Sequence, residues 1–175
     1  MAIDESLPFL PVNIAVLTIS DTREASEDKS GDILVERLAT DGHTLADRDL
    51  IKDDRVVIVA KLEKWIAATS VDVIITTGGT GVTGRDVTPE AIAQVSDKII
   101  EGFGELFRWI SFQTIGTSTI QSRASAGVAN GTYLFALPGS PGACKDGWDK
   151  ILHHQLDNRF RPCNFIELLP RLKEH

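Results

Sequence analysis

The sequence predicts an α/β fold with three layers, α/β/α, built around a mostly parallel β-sheet. Short apolar runs rich in β-branched residues recur along the chain and stop at polar or glycine-rich positions, which is typical of strands buried on both faces. Between these runs, apolar residues recur every three or four positions, as in helices that cover a sheet. No repeat, linker or low-complexity tract interrupts the alternation. We therefore expect an N-terminal arm over residues 1–12 and a single domain over residues 13–175.

The first half of the chain is expected to contain three strands and two helices. The strands are expected at residues 13–20 (NIAVLTIS), 43–51 and 71–77 (VDVIITT), and the first helix at residues 30–40. Apolar residues at helical spacing between positions 56 and 66 predict the second helix, and Asp53 or Asp54 is a candidate for its N-cap.

The second half is expected to contain two helices, a β-hairpin and a final helix. They are expected at residues 90–95, 102–114, 124–129 paired with 133–137, and 143–156. Thr88 followed by Pro89 is typical of a helix start, an N-cap with proline at the first helical position. Asn130 and Gly131 between two apolar runs predict the hairpin turn, which adds a local antiparallel piece to the sheet.

Composition and charge exclude several classes of function. Eighteen basic and 25 acidic residues give a net charge of −7, which argues against broad binding to nucleic acid but leaves room for a small anion site. No apolar run approaches the ~18 residues of a membrane span, and the acidic N-terminus lacks the positive charge of a signal peptide. Cys144 and Cys163 are too few for a disulfide framework or a CxxC metal site. We expect a cytoplasmic protein without nucleic-acid or membrane partners.

Three loops follow strands of the predicted sheet, and ligands of such sheets bind beyond the carboxyl ends of the strands. The first loop begins with Ser20 and Asp21, which either line a pocket or form an Asx-turn. The candidate phosphate-binding residues of the second loop are Thr77, Gly78, Gly79, Thr80 and Gly81. Bare glycines allow successive backbone N–H groups to close on an anion, and the threonines add hydroxyl donors. A flexible tight turn is the alternative interpretation.

The third loop is rich in glycine and proline and leads into the final helix. Its candidate binding residues are Pro138, Gly139, Ser140 and Pro141. The serine and the second proline open the helix, whose N-terminal amides and dipole favour negative charge. A second glycine loop at another strand end strengthens the interpretation of the first as an anion site.

Residues 79–84 match the spacing GxGxxG of dinucleotide-binding folds, but their context does not fit. The helix should begin at the glycines, whereas Thr88 and Pro89 place its start several residues later. No strand ending in an acid follows about 20 residues on, and no Gly-Lys-Ser or Gly-Lys-Thr completes an NTPase phosphate loop. We interpret the match as a coincidence.

Two aspartates are candidates for holding a metal at this edge of the sheet. Asp86 lies between the glycine loop and a helix, and a carboxylate so close to a phosphate cradle is explained if Mg²⁺ lies between them. Hydrogen bonding to loop amides is the alternative. Asp53 ends the preceding strand and would reach the same edge, unless it caps the following helix. Glu90, in a first helical turn, fits the helix dipole better than catalysis.

Other candidate residues carry weaker signals. Ser122 and Arg123 pair a hydroxyl with a fixed positive charge that can clamp a phosphate, although a surface arginine is the commoner case. The pair His153 and His154 lacks the spacing of a zinc motif and is interpreted as structural, and Cys144 as a small buried residue. Four aromatic residues on one predicted helix favour a subunit interface; they are Phe103, Phe107, Trp109 and Phe112.

Taken together, the motifs resemble the molybdenum cofactor biosynthesis family that includes MoaB and MogA. They are TTGGTG followed by RDVTPEA, then GFGELFR, then the stretch from QSRA to AGVAN, and LPGSPGAC, in that order between residues 13 and 165. The stretch over residues 115–130 and the tail RPCNF resemble the MoaB branch. The resemblance implies a molybdopterin-binding, MogA-like fold assembled as a trimer, or as a hexamer made of two trimers.

The resemblance also implies an activity, molybdopterin adenylyltransfer. The terminal phosphate of molybdopterin attacks the α-phosphate of Mg²⁺-ATP, giving adenylyl-molybdopterin and pyrophosphate. The two important acids of the family fall on Asp53 and Asp86, which would hold Mg²⁺ through the substrate. The family's glycine loop falls on residues 77–81 and its second substrate loop on residues 138–141. Catalysis would consist of alignment and charge neutralisation, without a nucleophile from the protein.

Further expectations follow from this resemblance and from the predicted sheet edge. The candidates for lining the pocket are Ser20, Asp21, Glu90, Ser122 and Arg123. Partners are expected to be molybdopterin, ATP, further copies of the chain and other enzymes of molybdenum cofactor synthesis. Two alternatives remain: a non-catalytic molybdopterin-binding or carrier protein with the same pocket, and an unrelated scaffold module whose glycine loops are only turns.

Overall fold

A computed structural model describes residues 2–174 of the chain. Its strands are β1 (Asn13–Ile19), β2 (Thr44–Ile51), β3 (Val73–Thr77), β4 (Lys98–Ile99), β5 (Ser125–Ala129) and β6 (Thr132–Leu137). Its α-helices are α1 (Lys29–Thr40), α2 (Arg55–Ile66), α3 (Thr88–Val95), α4 (Glu101–Ile115), α5 (Pro141–Gly147), α6 (His153–Gln155) and α7 (Phe165–Leu168). A π-helical segment (Trp148–Leu152) joins α5 to α6, and 3₁₀ turns lie at Ala25–Glu27, Gly116–Gln121 and Leu169–Arg171.

Within the described residues the strands form one sheet in the order β2-β1-β3-β6-β5-β4. The pairs β1–β2, β1–β3 and β3–β6 are parallel, whereas β5 is antiparallel to both β6 and β4. The chain runs outward from β1 to β2 and then returns past β1 to form β3 on its other side. The strand order therefore reverses between β1 and β3, and their carboxyl ends border a crevice of the kind that binds ligands in open α/β sheets.

Helices cover both faces of the sheet, which confirms the predicted three-layer α/β/α fold. Along β1, Ile14 and Val16 face one side and Ala15 and Leu17 the other, because successive side chains of a strand alternate. The first side packs against α1, α4, α5, the π-helical segment and α7, and the second against α2 and α3. All four of these side chains are fully buried, so the middle of β1 is apolar on both faces, as expected of a central parallel strand.

The predicted helix starts lie within two residues of the observed ones, but one expected N-cap is wrong. Asp54, rather than Asp53, caps α2, with its carboxylate accepting from the backbone N–H groups of Val56 and Val57. The prediction that Thr88 is an N-cap is wrong. Its hydroxyl instead donates to the carbonyl of Gly78 at 2.9 Å, so this residue ties α3 to the glycine loop.

Three other features differ from the sequence-based expectations. The final helix begins at Pro141, two residues earlier than expected, and widens into the π-helical segment before α6. The short edge strand β4 was not predicted, because two residues show no periodicity. Part of the N-terminal arm packs along the chain near residues 158–161, where the backbone N–H of Leu10 donates to the side-chain oxygen of Asn158 at 2.9 Å.

Among residues 2–174, no helix combines the length and the apolar character needed to cross a membrane.

Candidate active site

A cleft of about 790 Å³ lies at the carboxyl edge of the sheet, beside β1 and β3, where the strand order reverses. The loops after β1, β3 and β6 form one part of its wall, and the end of α4 with the following 3₁₀ turn forms another. All three loops selected from the sequence therefore meet at one place. The parallel register explains this meeting, because β1, β3 and β6 end side by side.

The conformation of the glycine loop depends on the absence of side chains at two positions. Gly78 and Gly79 have φ angles of +108° and +62°, in the left-handed region that other residues rarely adopt. A Cβ atom on Gly78 would collide with the carbonyl oxygen of Ile19 in β1, and one on Gly79 would collide with the side chains of Asp53 and Thr88. The loop therefore lies directly against the end of β1 and against Asp53.

Three backbone carbonyls of this loop accept hydrogen bonds from the protein, whereas two of its amides are free to bind a ligand. The carbonyls of Gly78, Gly79 and Thr80 accept hydrogen bonds from the Thr88 hydroxyl, the Thr88 amide and the Arg123 amide respectively, at 2.9–3.0 Å. Among the described residues, the N–H groups of Gly79 and Thr80 have no protein acceptor. A buried or half-buried N–H group normally has a partner, so these two are available to an anion in the cleft.

The carboxylate of Asp53 lacks the hydrogen bonds that would stabilise its charge. Its Oδ1 atom is buried and has no hydrogen-bond partner within the described part of the chain. Burial raises the pKa of Asp53, and the neighbouring charges of Asp21 and Asp86 raise it further, against a smaller opposing effect of Arg85. A cation beside this group would relieve both effects, so Asp53 fits a ligand of a metal ion.

Asp86 has the opposite electrostatic balance. Burial opposes its ionisation, but hydrogen bonds outweigh burial and hold the pKa of Asp86 below its ordinary value. The Thr83 amide and hydroxyl donate to Oδ2 at 2.8 and 2.6 Å, and the Gly81 backbone also contributes. Asp86 is therefore a fixed negative charge, and it packs against the Cα of Gly81 in the same way that Asp53 packs against Gly79.

Asp53 and Asp86 fit a magnesium ion that takes further ligands from elsewhere. Both side chains line the cleft, and Mg²⁺ prefers oxygen ligands while keeping several waters or substrate phosphates. No cluster of three or more His, Cys, Asp or Glu side chains arranged for a metal occurs within residues 2–174. The two acids therefore suit a metal that arrives with phosphate better than one that the protein holds alone.

Ser20 and Asp21 lie in the cleft wall. The Ser20 hydroxyl accepts from the amides of Thr22 and Arg23 and so shapes the turn after β1. Asp21 forms a two-pronged ion pair with Arg85, with both N–O distances at 2.9 Å, and also accepts from the Asp53 amide. This pair holds the pKa of Asp21 low and links the first loop to the second at the mouth of the cleft.

The third loop lies against the glycine loop. The space beside Gly139 is filled by the Cα atom of Gly78, so the two loops are in van der Waals contact. Ser140 caps α5 by accepting from the Ala143 amide at 3.2 Å, which confirms that this residue opens the final helix. The Thr77 hydroxyl donates to the carbonyl of Pro138 at 3.0 Å.

The structure does not bring every candidate residue to the cleft. Thr77 is fully buried, and its hydroxyl connects the second and third loops instead of facing the cavity. Arg123 donates to the carbonyls of Gly81 and Asp86 at 2.6 and 2.5 Å and pairs with Glu90, so it braces the outer side of the glycine loop. Both Arg123 and Glu90 border a separate shallow groove. Ser122 lines the cleft, whereas Thr77, Glu90 and Arg123 do not.

Two residues that the sequence analysis did not select contribute to the site. The Arg23 guanidinium lines the cleft and donates to the Gly139 carbonyl at 2.6 Å, and the buried Ser30 hydroxyl donates to the same oxygen at 3.0 Å. The polar stretch SDTR after β1 was the available signal for Arg23. Ser30 gave none, because a serine in the first turn of a helix is ordinary.

The residues interpreted as structural, Cys144, His153 and His154, do not line the cleft. Cys144 is fully buried, and burial raises the pKa of its thiol to about 11, so it is not a nucleophile at neutral pH. The His153 ring contacts the Asp41 carboxylate at 2.7 Å, and Trp148 donates to the same carboxylate at 2.8 Å. These contacts connect the π-helical segment and α6 to Asp41, the residue that follows α1.

The four aromatic residues of α4 divide into two pairs. Phe103 and Phe107 belong to the core, whereas Trp109 and Phe112 expose 64% and 56% of their surface. Trp109 and Phe112 leave an apolar surface on the outer face of α4.

The sheet is mixed, helices cover both of its faces, and free amides and two acids border a cleft where the strand order reverses. This is the architecture of α/β domains that bind small phosphorylated ligands.

Comparison with known proteins identifies the family. Residues 15–158 match the family model described as "Probable molybdopterin binding domain". Molybdenum cofactor biosynthesis protein B of Escherichia coli K12 is 49% identical over 169 residues, which cover 97% of this chain and 98% of the relative. The corresponding protein of Staphylococcus aureus MRSA252 is 44% identical over 150 residues, covering 84% and 89%.

Solved structures agree. A crystal structure of a molybdenum cofactor biosynthesis protein B superposes with a TM-score of 0.85 at 37% identity, covering 95% of this chain and 98% of the other. The tungsten cofactor synthesizing protein MoaB from Pyrococcus furiosus gives 0.77 at 32% identity, covering 94% and 98%. The chain therefore belongs to the molybdopterin-binding family of molybdenum cofactor biosynthesis proteins, as its motifs predicted, and its curated relatives are of the B type.

Proposed function

We propose that this protein binds molybdopterin in the cleft and transfers AMP from Mg²⁺-ATP to its terminal phosphate, giving adenylyl-molybdopterin and pyrophosphate. The observation that carries this proposal is the meeting of unbonded backbone amides with Asp53 and Asp86 in one cleft. Amides facing an anion and acids suited to a metal are what a reaction between two phosphates requires.

The chemistry needs no nucleophile from the protein. An oxygen of the molybdopterin phosphate attacks the α-phosphorus of ATP, and the bond from that phosphorus to the oxygen bridging to the β-phosphate breaks. Pyrophosphate leaves with the electron pair of that bond. The unbonded amides of Gly79 and Thr80 would bind phosphate oxygens and hold the reacting groups in line. The buried, protonated thiol of Cys144 takes no part.

Asp53 and Asp86 would hold the magnesium ion. When bound, Mg²⁺ neutralises phosphate charge and so favours attack on the α-phosphorus. Asp86 offers a carboxylate that hydrogen bonds keep ionised, and Asp53 offers an oxygen atom with no other partner. Arg123 acts at a distance from the substrate, by fixing the carbonyls of Gly81 and Asp86.

Release of pyrophosphate tests the proposal. Purified protein is incubated with ATP, Mg²⁺ and molybdopterin, and we expect pyrophosphate and adenylyl-molybdopterin in equal amounts. Asp86→Asn should keep the fold, as measured by circular dichroism, and should lower turnover by about 100-fold or more, because it removes a carboxylate that would hold the magnesium ion at the reacting phosphates. Unchanged turnover in Asp86→Asn would refute its role. Binding of molybdopterin without pyrophosphate release would instead support a non-catalytic binding or carrier protein.

We also propose that the chain works as a homo-oligomer in the cytoplasm, as a trimer or as a hexamer of two trimers. The exposed aromatic residues on α4 support assembly, since large apolar patches commonly mark interfaces. The free cysteines Cys144 and Cys163 fit a reducing compartment.

A further inference from the structure

The carbonyl group of Gly139 is held by two donors. The Arg23 Nη2 atom lies 2.6 Å from this oxygen and the Ser30 hydroxyl lies 3.0 Å from it. Ser30 is buried, so the carbonyl points toward the interior, at the N-terminus of α1. Two donors on one carbonyl of a glycine loop fix the orientation of that peptide plane, which glycine would otherwise leave free.

The direction of the next amide follows from planarity. The peptide bond between Gly139 and Ser140 is trans, and the C=O and N–H of a trans peptide point in opposite directions. The Ser140 N–H therefore points away from Arg23 and Ser30. It has no acceptor among the described residues, and Ser140 is exposed in the cleft wall. It is thus a third free amide, on the loop facing Gly79 and Thr80.

Hydrogen bonds to neighbouring elements fix the segments that carry the two donors. Asp28, nearly fully buried, accepts from the Gly31 amide at 2.9 Å, from the Thr18 hydroxyl at 2.7 Å and from Arg48 at 2.8 Å. These contacts anchor the start of α1 to β1 and β2. Arg23 is fixed at its backbone by the Ser20 hydroxyl.

The charge of the cleft distinguishes Arg23 from an ordinary loop brace. Among the described residues that line the cleft, Arg23 is the only cationic side chain, against four carboxylates, Asp21, Asp53, Asp86 and Asp146. A site for phosphates needs positive charge, and here that charge is attached to the loop that carries the Ser140 amide.

We propose that Arg23, assisted by Ser30, is a positioning residue that aims the Ser140 amide at a phosphate group of the bound nucleotide or pterin. This inference rests on the proposed function, because it names the residues that orient one wall of the same site. Loss of Arg23 leaves the Gly139 carbonyl with the Ser30 hydroxyl as its remaining donor, so the peptide plane is held less firmly and the Ser140 amide is aimed less well at the anion.

The test follows the Ser140 amide directly. Uniformly ¹⁵N-labelled full-length protein is titrated with Mg²⁺-ATP and, separately, with inorganic pyrophosphate, while the Ser140 resonance and the dissociation constant are recorded. In the wild type we expect a saturable shift of this resonance. In Arg23→Ala we expect the shift to be lost and the affinity for both probes to fall about tenfold or more, because a charge-assisted contact is removed.

Three further variants separate positioning from mere stability. Ser30→Ala should weaken binding about threefold, a smaller effect because the stronger donor stays. Arg23→Lys keeps a charged donor and should recover most of the affinity and the Ser140 shift. Arg171→Ala is the matched control and should behave as wild type, because it removes an exposed arginine whose one ion-pair partner within residues 2–174 is Glu174. Thermal unfolding is measured for each, and if Arg23→Ala does not fold, Ser30→Ala and Arg23→Lys decide the question.

The outcomes distinguish this inference from the proposed function. A wild-type protein that binds neither Mg²⁺-ATP nor pyrophosphate would overturn the proposed function. A wild type that binds, together with an Arg23→Ala variant that binds equally well and shows the same Ser140 shift, would overturn the positioning role alone.

Discussion

At the scale of single residues, Asp53 and Asp54 are neighbours with opposite effects. The Asp54 carboxylate accepts hydrogen bonds from backbone amides at the start of α2, whereas Asp53 is turned toward the glycine loop, with a buried oxygen that has no partner among the described residues. Both aspartates are possible caps by sequence, and the sequence does not separate them, because the choice depends on which carboxylate the backbone turn directs to the helix. An ionised group that lacks partners and faces like charges is typical of a site that favours function over stability.

Replacing Asp53 with asparagine should therefore stabilise the metal-free protein while it removes activity. The folded-state pKa of Asp53 is raised, so ionisation destabilises the folded state, and that penalty is present above the raised pKa and absent below the ordinary value of 3.8. We expect Asp53→Asn to increase the free energy of unfolding at pH 7 by about 0.5 kcal/mol, a small value because solvent screens a half-buried carboxylate. The gain should shrink as the pH falls toward 4. Urea denaturation at both pH values measures it, and a destabilised variant at pH 7 would contradict the electrostatic argument.

At the scale of elements, the cap of α2 provides the complementary case. The side chain of Asp54 accepts from Val56 and Val57 at 2.9 and 3.2 Å and lies outside the cleft. Asp54→Ala should lower the free energy of unfolding by about 1 kcal/mol, the usual contribution of an N-cap. Pyrophosphate release measured well below the unfolding midpoint should stay within about twofold of wild type. A large loss of turnover in a folded Asp54→Ala protein would show that the end of β2 contributes to the site through more than Asp53.

At the scale of the whole molecule, we predict that the outer face of α4 mediates assembly. Trp109 and Phe112 are exposed in the single chain, and the end of the same helix supplies Ser111, Thr114 and Ile115 to the cleft wall. We expect the double change Trp109→Glu and Phe112→Glu to reduce the molar mass measured by light scattering to that of a smaller assembly or a monomer. The control is Val56→Glu, which changes another exposed apolar residue, on the opposite side of the sheet, and should leave the mass unchanged. A double variant with the wild-type mass would place the interface elsewhere.

The sequence by itself determined the alternation of strands and helices, the three loops at one sheet edge and the two acids beside the glycines. These features could be predicted because burial and backbone conformation act locally: a β-branched apolar run, a glycine before a turn and a serine before proline each limit their own segment. The tertiary structure alone decided which of these side chains face the cleft. Thr77 and Arg123 stabilise the loops from outside the cavity, and Arg23 and Ser30 donate to the carbonyl of Gly139. The direction of such a side chain depends on partners that are distant in the chain. Its hydrogen bonds therefore form only where the sheet brings those partners together.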